Sequence, residues 1–298
     1  MPVVALACCR LSGEAPVSDL YPDGDPEQLA DALRGVGLDA VAVSWDDPDF
    51  DWASVAGVLV RSTWDSVDRP EEYSGWARRV GALTVLLNSA DVIEWNLNKT
   101  YLHDLAAAGV EVVPTEWVLP GSSWVPGLDQ DLVIKPSVSA GGRETAWYSH
   151  GQVERATAHV TRLFERGQTV LVQPYLASVQ VPGEVDLIYI DGRYSHAVRK
   201  GPLLERDAGT QARPWERMTS LGLAEPTDAE HALGASAIAA VTSRFGIPTY
   251  GRVDLVELST GGPAVLEVEL IDPNLSLVDV PSAPSTLATA VLKHLYLP

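Results

Sequence analysis

Residues 132–145 read LVIKPSVSAGGRET, a lysine set inside what otherwise reads as a buried strand. Leu132, Val133 and Ile134 are apolar, Pro136 follows, and Ser137, Ser139, Gly141 and Gly142 then make a small, flexible run. An ammonium taken out of water is costly unless an anion or a set of acceptors meets it. Lys135 therefore implies a partner. The chain is also sparing with lysine: of its 21 lysine and arginine residues, only Lys99, Lys135, Lys200 and Lys293 are lysines. Arginine supplies the rest, so a lysine kept in an apolar strand reads as functional. The competing reading is a strand-edge lysine that snorkels to solvent.

Upstream of this stretch, strands and helices alternate. Residues 3–9 are a strand candidate, 25–45 read as helix, glycine stop and strand, and 55–65 as a strand ending in a polar loop. A second amphipathic helix (70–83) and a short strand (84–88) complete the series. The pattern predicts a doubly wound α/β domain, with functional groups at strand C-termini. GxGxxG is absent, which leaves an ordinary dinucleotide site without support. A helix then runs to a stop at Gly109. From about residue 130 β-rich segments dominate, interrupted by helices over 153–166 and 229–246, and YIDGRYSH (189–196) reads as a hairpin on an Asp-Gly turn.

Composition narrows the function. At 298 residues more than one sub-domain is expected. A formal net charge of −19 argues against nucleic acid as a partner, and no apolar run is long enough to span a membrane. Cys8 and Cys9 are adjacent, which disfavours a disulfide, and no Cys/His spacing suggests zinc. A cytoplasmic, reduced protein is the expectation. No Ser-His-Asp or Cys-His set stands out.

Glu267 and Glu269 lie two apart on a strand candidate and so share a face. Paired carboxylates repel unless a cation sits between them, and hard oxygen ligands are what Mg²⁺ selects. With Asp254 on a neighbouring strand, a magnesium cluster on bound ATP is the economical explanation.

The order of these features resembles the ATP-grasp superfamily over about residues 88–275: Lys99 in NLNKTYL, Lys135 before a Gly/Ser loop, VQPYL, Glu184, GRVDLV and LEVEL. The resemblance implies an N-terminal doubly wound α/β domain (1–95) and two α+β lobes (96–178 and 179–298) that hold ATP between them. It also implies that Lys99 and Lys135 bind phosphates, while the loop with Ser137, Ser139, Gly141 and Gly142 closes over them. Gln173, Pro174, Tyr175 and Leu176 would read the adenine, and Glu184 would hold the ribose. Asp254, Glu267 and Glu269 would ligate Mg²⁺, with Arg252 stabilising the transferring phosphoryl group. One position departs from the family, which commonly has Glu-x-Asn where this chain has Glu267-Val268-Glu269.

Such enzymes mostly activate a carboxylate as an acyl phosphate. Candidate acceptor groups are Arg61, Trp64 and Asp65 at a strand C-terminus, and His196, Arg199 and Lys200 in SHAVRKGP. Arg199 joins Lys99 and Arg252 as a candidate catalytic group. A surface ion pair for Arg61 and a satisfied strand position for His196 stay open as alternatives. More narrowly, RSTWD, VIKPSVSAGG and LEVELIDPNLSL are similar to the cyclo-ligases that close O-ureido-D-serine. That similarity implies a small amino-acid-like substrate. An intermolecular amide ligase and a nucleotide-binding module without turnover remain alternatives, and a homodimer is open as the assembly.

Overall fold

Val3–Cys8 is apolar throughout and almost wholly buried, as expected of a parallel strand covered on both faces. The structure, a computed structural model, describes residues 1–9, 26–125, 127, 129–210 and 220–296. From the N-terminus come β1 (Val3–Cys8), α1 (Pro26–Gly35), β2 (Asp39–Ser44), β3 (Gly57–Ser62), α2 (Pro70–Leu83) and β4 (Val85–Leu87). They form a parallel sheet in the order β2-β1-β3-β4. Proline at the start of α2 and Glu71 and Glu72 in its first turn suit a helix N-terminus. One face of this sheet packs on an aromatic cluster in which Trp45 meets Tyr73 edge-on at 5.1 Å.

Next come α3 (Ala90–Leu97), α4 (Tyr101–Ala107), β5 (Glu116–Val118), β6 (Leu132–Pro136), β7 (Ala146–Tyr148), α5 (Val153–Glu165) and β8 (Val170–Pro174). These strands make an antiparallel sheet, β5-β8-β6-β7, with Ala156, Val160 and Leu163 of α5 in its core. The last set is β9 (Glu184–Ile190), β10 (Arg193–Lys200), β11 (Ser220–Leu223), α6 (Asp228–Phe245), β12 (Tyr250–Glu257), β13 (Pro263–Glu269) and α7 (Ala283–Tyr296). Its antiparallel sheet runs β11-β10-β9-β12-β13. Thr227 and Glu230 form a reciprocal capping box at the start of α6. The β9–β10 turn has positive φ at both Asp191 and Gly192, the geometry a two-residue hairpin demands.

Each sheet lies inside one of the three expected segments, yet the packing crosses them. Leu102 and Leu105 of α4 share a core with β9, β12 and β13. Leu287 and Val291 of α7, a helix not anticipated from the sequence, share one with Leu33 of α1 and Leu59 of β3.

Side-chain amides hold the outer edge of β13. Asn96 donates to the Val268 carbonyl and accepts from the Leu270 N–H, both at 2.7 Å. The Tyr101 hydroxyl accepts from the Val268 N–H at 3.0 Å. Asn88 donates to Leu270 and Tyr250 carbonyls and accepts from the Thr249 N–H at 2.7 Å. Together with a parallel backbone bridge between Val112 and Val265, these side chains close the edge of the sheet.

Candidate active site

The antiparallel register of the third sheet sets Lys200 across from Glu184, Asp254 across from both Asp186 and Glu267, and Arg252 across from Glu269. Alternation brings all seven side chains to one face. Opposite them stand Lys135 on β6 and the loop after it, and the cleft between is lined by Gly141, Gly142, Gln173, Pro174, Tyr175 and Leu176. Val113, Val133, Val256 and Leu266 give the same cleft an apolar end. Such a space suits a flat apolar ring at one end and phosphates at the other.

Lys135 is buried, and its ammonium lies 3.1 Å from Glu267 Oε1, with Lys99 Nζ 3.8 Å from the same oxygen. Sequence analysis sets Lys135 against phosphate; here a carboxylate of the cleft is its partner, because a buried ammonium must find an anion. Lys99 also donates to the Ser139 carbonyl at 2.6 Å, which ties the glycine loop to the start of α4. Burial depresses the Lys99 ammonium, and more strongly than Glu267 lifts it. Burial alone would raise Glu267, but Lys99 and Lys135 outweigh it and hold its carboxyl below the ordinary range.

Arg252 forms a bidentate pair with Asp254, at 2.7 and 2.8 Å, and reaches Glu269 at 2.7 Å. The Lys200 ammonium sits among Glu184 at 3.3 Å, Asp186 at 3.0 Å and Asp254 at 3.3 Å. Asp254 is pulled down by Arg252 and Lys200 against the effect of burial. Asp186 is pushed up to about 7 by burial, and next by Asp254. Burial also raises Glu269, with Asp254 and Glu267 adding to it against Arg252.

The donor set fits a hard divalent cation. Glu184, Asp186 and Asp254 offer oxygens within 4.8 Å of one another, with the Lys200 ammonium already set among them. Glu267 and Glu269 share a face of β13, with Asp254 across from Glu267 on the neighbouring strand.

Several expected residues lie elsewhere. Arg199 occupies the alternate position of β10 beside Val185, with its guanidinium 3.5 Å from the Pro182 and Gly183 carbonyls. The single-residue parity turns it away from the cleft that Lys200 enters. His196 is buried, with Nε2 3.0 Å from the Leu275 carbonyl and Nδ1 3.0 Å from Ser195 Oγ, so the satisfied strand position is what the structure shows. Asp65 accepts from Trp45 Nε1 at 2.8 Å and pairs with Arg69. Trp64 packs on Cys8 and Cys9. Arg61 is buried, 5.8 Å from the Tyr250 ring, which excludes a surface ion pair. Ser137 is buried, its backbone carbonyl taking the Lys99 N–H.

Sequence reasoning missed Asp186 and used Lys200 only as part of a basic patch. The spacing rule applied to Glu267 and Glu269 would have found Asp186, two residues after Glu184.

A sequence family described as the N-terminal domain of the D-cycloserine synthetase DcsG matches residues 4–88. The cycloserine biosynthesis protein DcsG of Streptomyces lavendulae is 37% identical over 270 residues, covering 86% of this chain and 88% of that protein. A crystal structure of D-cycloserine synthetase DcsG superposes with a TM-score of 0.86 at 33% identity, over 98% of this chain and 99% of that one. The ATP complex of D-alanine–D-alanine ligase from Bacillus anthracis shares the fold, with a TM-score of 0.67 at 14% identity over 99% and 97% of the chains.

Proposed function

This chain belongs to the D-cycloserine synthetase family of ATP-grasp ligases, an ATP-dependent ligase by descent, and from that premise we propose that it closes O-ureido-D-serine into D-cycloserine. The observation that carries this reading is a cleft in which Lys135 faces Asp254, Glu267 and Glu269, with Lys200 and Arg252 set among those acids. That arrangement supports transfer of the γ-phosphoryl group of ATP to the substrate carboxylate. The aminooxy nitrogen then attacks the acyl phosphate within the same molecule and expels phosphate. Water releases the carbamoyl group as CO₂ and ammonia. Intramolecular attack needs no second substrate to be positioned.

The apolar end of the cleft and the Gln173–Leu176 segment would take the adenine, with Glu184 at the ribose. A 3.6 Å stack of Tyr175 on Trp147 supports a fixed adenine wall. Lys99, Lys135 and the backbone of Gly141 and Gly142 would hold phosphate oxygens. These glycines have φ of +59° and +72°, and lack of a side chain lets a phosphate come close. Asp254, Glu267 and Glu269 would hold Mg²⁺, which when bound neutralises charge on the phosphate oxygens. Arg252, already oriented by Asp254, would face the developing charge at the transferring group.

Mass spectrometry of products from O-ureido-D-serine and Mg·ATP tests the proposal. D-cycloserine with one ADP per ring is the expected result. ADP release only when a second amino acid is supplied would replace it with an intermolecular ligase.

A further inference from the structure

The loop leaving β13 carries a carboxylate that no step above uses. Asp272 lies three residues beyond Glu269 and reaches across to the first sheet. Its Oδ2 accepts the Thr63 N–H at 2.8 Å and lies 3.3 Å from the Thr63 hydroxyl. Thr63 is its only hydrogen-bonding partner among the described residues. It directly follows β3, at the carboxyl edge where doubly wound sheets seat their ligands. Arg61, at the end of the same strand, is close enough for its charge to act on Asp272.

The backbone on either side is fixed. The Tyr250 hydroxyl meets the Ile271 carbonyl at 2.7 Å, and Arg252 Nη1 donates to the Asn274 carbonyl at 3.2 Å. Asp272 thus stands between the arginine at the phosphoryl end of the cleft and the C-terminal edge of β3. It is half-buried. Asp65, a candidate acceptor group in the sequence, is already committed to Trp45 and Arg69. Burial, and after it the charge of Glu269, pushes the Asp272 carboxyl up to about 7, so a cation beside it gains more than at an open surface.

We infer that Asp272 recognises the α-ammonium of an amino-acid acceptor, held in place for that contact by Thr63. The inference rests on the reaction proposed above, in which the α-amino group survives into the ring and takes no part in bond making. Recognising it is a matter of specificity, and its loss would leave ring closure chemically feasible.

Asp272→Asn keeps an oxygen for Thr63 and removes the charge. ADP release gives KM for ATP and for O-ureido-D-serine in wild type and variant, beside the same acceptor without its α-amino group. Calorimetry of both acceptors on the ADP-bound protein supplies a readout that needs no turnover. Wild type is expected to prefer the aminated acceptor by about tenfold or more. In the variant that preference falls to about threefold or less, acceptor KM rises about tenfold, and ATP KM stays within about twofold. An unchanged acceptor KM, or a preserved amine preference, overturns the assignment and leaves the ligase reaction standing. No ADP release from O-ureido-D-serine by wild type overturns the reaction and the ammonium assignment with it.

Discussion

Lys135 and Glu267 neutralise each other across the cleft, so a substitution at either acts on both. Lys135→Ala removes a cation from the phosphate end and leaves Glu267 to Lys99, at 3.8 Å. Nucleotide affinity is expected to fall by about 1.5–3 kcal/mol, the usual worth of a charged hydrogen bond. ADP titration by calorimetry on a protein with normal circular dichroism measures this, and unchanged affinity would remove Lys135 from the nucleotide site. Glu267→Gln keeps the shape but not the charge. We expect ADP still to bind while turnover is lost at every magnesium concentration; activity restored to wild type by added magnesium would show that this carboxylate is dispensable. At this scale much of the site was legible, because a buried lysine and acids spaced two apart are local signals. Arg199 and Lys200 were not separable, because β10 changes register between Tyr194 and His196 and parity cannot be counted through that irregularity. Asp272 lies in a loop, where no period marks it.

Strand β13 shows how an element carries the chemistry. Its outer edge is held by Asn96, Tyr101 and Asn88 and by a backbone bridge from Val112 to Val265. Asn96→Ala leaves the Val268 carbonyl and the Leu270 N–H without partners in a buried place. Stability is expected to drop by about 2–3 kcal/mol, read from urea unfolding; a loss under about 0.5 kcal/mol would mean another group closes that edge. Gly183 makes a similar point at the start of β9. Its φ is +96°, and a Cβ there would lie 2.3 Å from the Lys200 carbonyl. Gly183→Ala should therefore displace β10 where Lys200 enters the carboxylates, costing more than about 1 kcal/mol and lowering activity. The alternating β and α pattern made the first sheet readable, since each strand there has an apolar run at its centre. Helix α7 escaped because Pro281 and Pro284 punctuate its start like a loop, although a helix tolerates proline in its first turn.

Across the whole molecule the first sheet is joined to the rest both through a shared core and through specific side-chain contacts near the cleft. The Arg143 side chain, in the glycine loop, reaches Asp68 at 2.8 Å, and Thr63 meets Asp272. If the first domain seats the acceptor, Arg61→Ala should lower kcat/KM for the acceptor about tenfold while leaving ATP KM nearly unchanged. Steady-state kinetics with each substrate varied in turn decides this, and a defect on the ATP side would place the acceptor elsewhere. The connection also runs the other way along the chain. Leu287 and Val291 of α7 complete a core begun by Leu33 and Leu59, and Leu295 packs where Gly57 has no side chain. During synthesis residues 1–95 therefore emerge with one side of their sheet covered by α1 but not yet by α7. Nearly two hundred more residues follow before the helix that completes that cover exists, so a sheet made early is finished late.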